Sequence, residues 1–128
     1  SPLGRSLLTN NPIPRERILT LPFLAGNPRF IEPNLTENLR ITDGFRNLAK
    51  EMGASAAGLA NAWLLTRGSH VLPIPGTRSV EHFRESMSGA SLILSETDLE
   101  QIETMLPIGW AHGDRYSREQ WDGPERYC

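Results

Sequence analysis

The chain has 128 residues, and 13 Lys and Arg against 15 Asp and Glu leave a formal net charge of −2, so it carries no basic field for nucleic acid or an anionic membrane surface. Hydrophobic residues at 38% and charged residues at 22% suit a soluble domain with one modest core, and no apolar run reaches the ~18 residues of a membrane span. The only cysteine, Cys128, is the last residue, which excludes an intramolecular disulfide and a cysteine-based metal cluster and makes a cytoplasmic location the expectation.

The opening Ser1-Pro2-Leu3-Gly4-Arg5 is turn-like and reads as the end of something rather than the start of a free-standing fold. Between residues 6 and 33 stand Pro12, Pro14, Pro22, Pro28 and Pro33. Each removes an amide donor and biases the residue before it to extended geometry, so no long helix is expected there. A loop of this length reads as functional, or as a lid.

From Leu35 to Met52, the residues Leu39, Phe45, Leu48, Ala49 and Met52 mark one helical face, and Gly53 follows as a stop. Ser55 is placed to cap a second, antiparallel helix with Leu59, Ala62, Trp63 and Thr66 as its buried stripe, ended by Gly68. Residues 71–74, short, apolar and bounded by Gly68 and Gly76, read as a buried strand. Ser79 caps a third helix with an apolar stripe of Val80, Phe83 and Met87, ending near Gly89. Ser95 and Asp98 stand at capping-box spacing ahead of a fourth helix with Leu99, Ile102 and Leu106, which Pro107 terminates. The rest, 107–128, is an irregular aromatic and polar tail.

The strand-to-helix turn from Ile74 to Ser79 is the strongest mechanical feature. A helix start and a flexible glycine form a ready anion site, to which Arg78 adds a charged fork. Any strand-to-helix turn can hold a Gly and a capping Ser, so the pattern alone does not specify a ligand. A lone helical histidine such as His82 usually packs or faces solvent. His70 and His112 have no second ligand at metal spacing, so no metal site is expected. Glu81, Glu85, Asp98 and Glu103 are spaced as exposed helix charges, without the apolar surroundings that paired-carboxylate catalysis needs. Trp63 is expected in the core, whereas Trp110, Tyr116, Trp121 and Tyr127 either line a ligand or pack the tail down. The stretch around Gly53, Ser55, Leu59 and Trp63 also has the rhythm of a helix-turn-helix reader, but 55–65 offers no Lys or Arg for phosphates or guanine.

Taken together, Ser1-Pro-Leu-Gly-Arg5, the stretch from Pro28-Arg-Phe30 to Glu37-Asn-Leu39, Ala60-x-Ala-Trp-Leu-Leu65, Pro73-Ile-Pro-Gly-Thr-Arg-Ser79 and Leu94-Ser-x-x-Asp98-Leu resemble the C-terminal part of an aldo-keto reductase. The resemblance covers nearly the whole chain. It implies an α/β fold, the C-terminal part of a (β/α)8 TIM barrel, which typically needs ~250 residues; this part is mostly helical with one short barrel strand at 71–74.

The resemblance further implies that Ser1, Leu3, Gly4 and Arg5 wrap a cofactor pyrophosphate. Gly76, Thr77 and Arg78 would contact the 2′-phosphate of NADP(H), with His82 one turn on and Glu85 where an acid reads the adenine amino group. Ser86 stands where the family usually has Asn. NADPH is expected over NADH, because a bidentate guanidinium is rewarded there only by a phosphate. The family's catalytic Tyr, Lys, Asp and His belong to the earlier barrel half, and their motifs are absent from this sequence. The chain is therefore read as the cofactor-binding part of an oxidoreductase for small aldehydes or ketones, inactive alone and prone to self-association through barrel-facing surface. A non-catalytic helical interaction module is the second reading, and cofactor titration separates the two.

Overall fold

The five prolines between residues 6 and 33 leave room only for short helical pieces in the computed structural model of the chain, which describes residues 1–121. These are a tight turn at Gly4–Ser6, α1 (Arg15–Ile18), α2 (Pro22–Ala25) and a 3-10 turn at Pro28–Phe30. Pro22 opens α2, where its missing amide costs nothing. The longer helices follow: α3 (Asn34–Glu51), α4 (Ala56–Leu65), α5 (Val80–Ser88) and α6 (Glu96–Met105). No helix among the described residues is long and apolar enough to cross a membrane.

The helix ends follow sequence chemistry closely. Gly53 takes φ +66°, and its amide and that of Ala54 reach the carbonyls of Lys50 and Ala49 at 3.0 and 2.8 Å, closing α3 with its last carbonyls satisfied. Ser55, Ser79 and Ser95 each accept from the backbone amide three residues on, capping α4, α5 and α6. Asp98 completes a capping box by accepting from the Ser95 amide at 2.8 Å.

The buried apolar side chains form two clusters. Phe45, Leu48 and Ala49 of α3 meet Ala56, Leu59 and Ala60 of α4 and Ile102 of α6 in the first. Leu7, Ile18, Leu24, Phe30 and Leu35 form the second. Burying Phe45 or Leu59 is worth roughly 1.5–3 kcal/mol each. The N-terminal segment ties the clusters together, because Leu7 enters the second while Leu3 and Leu8 pack on the first. In α4 every residue from Ala56 to Ala62 is buried, as expected of a helix apolar all round. Its small residues permit a close approach: a Cβ on Gly89 would stand 2.3 Å from the carbonyl oxygen of Gly58.

Three expectations are corrected. Residues 71–74 form no strand, and no strand occurs among the described residues; Leu72 and Ile74 are 81% and 85% exposed. A strand is held by ladder hydrogen bonds, and no neighbouring strand is present to supply them. The stripe Val80, Phe83 and Met87 of α5 faces outward, and the helix instead buries Ser86 against α4, where only a small side chain fits. Thr66 is exposed at the end of α4, its hydroxyl donating to the Trp63 carbonyl at 2.8 Å. Trp63 packs against the first cluster as expected.

Candidate cofactor site

The turn at the start of the chain is left-handed through three successive residues, with φ of +54° at Gly4, +56° at Arg5 and +80° at Ser6. Only glycine adopts that region without cost. The turn is closed by the Gly4 amide donating to the Ser1 carbonyl at 3.0 Å and the Leu8 amide to the Leu3 carbonyl at 3.1 Å. Ser6 Oγ accepts the Ile13 amide at 3.0 Å, binding the turn to the proline-rich stretch. The Arg5 side chain turns to the tail, donating to the Arg115 carbonyl at 3.1 Å and lying 5.1 and 4.8 Å from the ring centres of Phe23 and Tyr116. What the turn presents is therefore its backbone, in a positive local field.

The second sequence-derived group sits on the loop into α5. Gly76 is not left-handed, and a Cβ there would meet nothing within 4 Å, so the space above it is open. Thr77 Oγ1 accepts the Ser79 amide at 3.1 Å and Ser79 Oγ accepts the His82 amide at 3.3 Å. The Val80 and Glu81 amides at the helix start have no partner among the described residues. Arg78 is exposed, without an ion-pair partner among the described residues.

His82 is exposed on α5, and Glu85 is half-buried one turn further. The backbone at Glu85 is pinned, its carbonyl accepting from Ser55 Oγ at 3.1 Å and Ser88 Oγ at 2.7 Å. Ser55 thus caps α4 and anchors α5 with the same hydroxyl.

A cavity of about 460 Å³ lies between the opening turn and residues 71–74, the stretch ahead of the α5 loop. Ser1, Pro2 and Gly4 form one wall, residues 71–74 another, and Phe45, Trp63 and Ile102 its apolar floor. Arg29 and Trp110 line it as well. Leu3, Arg5, Gly76, Thr77, Arg78, His82 and Glu85 lie outside the lining, the loop residues continuing directly from the 71–74 wall. Among the described residues, no group of three His, Cys, Asp or Glu is gathered to hold a metal ion.

Residues 1–107 match the Aldo/keto reductase family. The chain belongs to that family. It is 38% identical over 116 residues to "Probable aldo-keto reductase 1" of Glycine max, an alignment covering 91% of this chain and 33% of that protein. It is 28% identical over 116 residues to "Aldo-keto reductase yakc [NADP(+)]" of Schizosaccharomyces pombe, covering 91% of this chain and 34% of that protein. The chain therefore spans about a third of the length of these curated relatives. No solved structure is significantly similar to it.

The donor set suits a dinucleotide of this family's kind. Open space over Gly76, two amides at the start of α5 and the Arg78 guanidinium, none with a hydrogen-bond or ion-pair partner among the described residues, are features compatible with a phosphate group.

Sequence reasoning passed over the residues that hold the site's frame. Asn38 is fully buried, its Nδ2 donating to the carbonyls of Arg29 and His112 at 2.9 Å each and its Oδ1 accepting the His112 amide at 2.8 Å. Asn27, equally buried, donates to the Arg115 carbonyl and to Gln120 Oε1 at 2.9 and 3.0 Å. Asn10 Oδ1 accepts the Ala56 amide at 2.8 Å, giving α4 a second cap from the proline-rich segment. The sign available beforehand was register: Leu35, Asn38, Thr42 and Phe45 fall on one face of α3, which makes Asn38 a polar residue in a core position. The tail packs down as one of its two expected roles required, with Trp110 on the second cluster and Tyr116 edge-on to Trp121 at 5.0 Å. Tyr127 and Cys128 lie outside the described residues.

Proposed function

We propose that the chain is the C-terminal, cofactor-holding part of a cytoplasmic (β/α)8 oxidoreductase that uses NADP(H) to reduce small aldehydes or ketones. In this reading residues 1–33 are the cofactor and lid loop, 34–106 the helical part with 71–74 as a barrel strand completed by its neighbours, and 107–128 the tail. The observation that carries the reading is the cavity bounded by the 1–4 turn and by residues 71–74, which run straight into the open loop at Gly76, Thr77 and Arg78.

The bound nicotinamide supplies a hydride to the carbonyl carbon. This chain's own residues bind and orient. Backbone groups of Ser1, Leu3, Gly4 and Arg5 would hold the pyrophosphate, Arg78 and the amides after it the 2′-phosphate, and Glu85 the adenine amino group, with His82 beside them. The proton donor and its partners would come from the remaining barrel, so the chain alone should show no NADPH-dependent turnover.

The test is a titration of NADPH and NADH against the chain and its Arg78→Ala variant, read by tryptophan fluorescence. A charge-assisted contact is worth about 1.5–3 kcal/mol, toward the lower end at an exposed position, so NADPH should bind about tenfold more weakly to the variant. NADH, lacking the phosphate, should be unchanged, and His82→Ala should act more weakly than Arg78→Ala. Equal weakening of both cofactors by Arg78→Ala would remove the assignment to NADP(H).

A further inference from the structure

The left-handed turn at 4–6 raises a question of support. Arg5 and Ser6 are not glycines, and each holds a backbone conformation that L side chains adopt at a cost, so the surroundings must keep them there. The backbone bonds that close the turn are local. The Arg5 side chain, by contrast, reaches 110 residues along the chain to the Arg115 carbonyl, and rests against the Tyr116 ring at 4.8 Å.

That carbonyl is shared. Asn27 Nδ2 donates to the same oxygen at 2.9 Å, so one acceptor joins the turn, the proline-rich segment and the tail. Gln120 reinforces the node, its Oε1 accepting from Asn27 Nδ2 at 3.0 Å and from the Ser117 amide at 3.1 Å, while its Nε2 donates to the Phe23 carbonyl at 2.8 Å. Phe23 in turn lies against Arg5 and, edge-on at 6.3 Å, against Tyr116.

We propose that residues 115–120 form a strap that holds the left-handed turn in shape, with Arg5 as the positioning residue that links the two; the proposal rests on the reading of that turn as the pyrophosphate cradle. The strap works in two ways. It fixes the Arg5 side chain, and through it the backbone conformation in which the turn presents its polar groups. It also keeps the guanidinium over two aromatic faces, where its charge contributes to the local field without occupying the space above the turn. Tail docking and cofactor binding then share one free energy, and a change that loosens either must loosen the other.

Amide hydrogen exchange on the 128-residue chain, resolved by NMR and made without cofactor, tests the link in both directions. Tyr116→Ala should speed exchange at the Gly4 and Leu8 amides of the turn by about tenfold, as expected for loss of one partly desolvated cation–ring contact. Tyr116→Phe keeps the ring and should leave those amides at the wild-type rate. Arg5→Ala should speed exchange at the Gln120 amide, which donates to the Ser117 carbonyl. Both side chains are partly exposed, so the folded chain persists in each variant. The proposal is overturned if either Ala substitution affects only the segment in which it is made, or if Tyr116→Phe acts like Tyr116→Ala. NADPH added to the wild-type chain should slow exchange at Gly4 and Leu8; absence of that slowing, with the coupling intact, overturns the cofactor reading and not the strap.

Discussion

Replacing Gly89 by alanine sets two effects of known size against each other. Gly89 has ordinary right-handed backbone angles, so alanine there narrows the unfolded ensemble and stabilises by about 0.4–1 kcal/mol. Against this, the new Cβ would stand 2.3 Å from the Gly58 carbonyl oxygen, 3.0 Å from the Ala62 nitrogen and 3.1 Å from the Asn61 Cβ. The first two are backbone atoms of a buried helix, so relief requires α5 and the 89–91 turn to move away from α4. Overpacking of this kind costs about 1–3 kcal/mol, which leaves a net loss of about 1–2 kcal/mol.

With a urea slope of about 1–3 kcal/mol per molar, the unfolding midpoint should fall by about 0.5–1 M at unchanged slope. Gly58→Ala should also lower the midpoint, because the Ser88 and Ser55 hydroxyls at 2.6 and 2.9 Å could turn aside only by giving up the α4 cap and their bonds to the Glu85 carbonyl, itself 3.1 Å away. Gly76→Ala should leave the midpoint unchanged or raise it slightly, since Gly76 is not left-handed, nothing lies within 4 Å, and only the unfolded-state effect remains. A Gly89→Ala midpoint equal to wild type, or below neither of the other two variants, would refute the close approach of α5 to α4 and the placement of Glu85 that depends on it.

Asn38→Ala strips partners from two carbonyls and one amide in a buried site, and at about 1–3 kcal/mol per unsatisfied group, offset by entering water, should cost about 2–4 kcal/mol in urea unfolding and expose 107–121 to limited proteolysis. An intact tail in that variant would show that the asparagine does not hold it. Hydrogen bonds from the Ser95 hydroxyl, then from its backbone amide, hold the Asp98 carboxyl below its ordinary value of 3.8. The stabilisation is therefore present above that value and disappears as pH falls through the lowered one. An NMR titration should give Asp98 a lower midpoint in the wild type than in Ser95→Ala, and coincident midpoints would contradict the capping box. The exposed Leu72 and Ile74 should drive concentration-dependent association in sedimentation velocity, relieved by Leu72→Glu with Ile74→Glu; a wild-type chain that stays monomeric into the high micromolar range would count against it.

Helix existence and helix ends were legible because both are local. The 3- and 4-residue spacing through Phe45, Leu48 and Met52, the stop at Gly53 and the three serine caps depend on neighbours within one turn, and all are realised. Residues 71–74 form no strand for the opposite reason: the apolar content is that of a strand, but a strand is a property of pairing, and no strand occurs among the described residues to pair with them. The outward face of α5 follows from the same dependence. Its apolar residues are exposed, while the face turned to α4 is set by steric room, which favours Ser86 and Gly89. The two candidate binding segments stood out by resemblance, whereas Asn27, Asn38 and the Arg115 carbonyl, which join distant parts of the chain, leave no trace at short spacing.

The proposed cofactor is anionic and the chain acidic, so the proposal depends on where the charges stand. Salt screens a net charge of −2 beyond a Debye length, ~8–10 Å at physiological salt, so what a bound anion meets is set by the charged groups within that distance. Arg5 and Arg115 sit at the turn, and Arg78 stands on the loop that continues from the opposite wall of the cavity. The Arg5 side chain at the turn is held in place by two rings and a carbonyl, whereas Arg78 has no ion-pair partner among the described residues. On the proposed reading, selectivity between the phosphorylated and unphosphorylated dinucleotides would rest on Arg78, while the turn would contribute to both alike. Loss of the strap should weaken NADPH and NADH by the same factor, and loss of Arg78 should weaken NADPH alone, so the ratio of the two affinities tells which end of the cradle a substitution has reached.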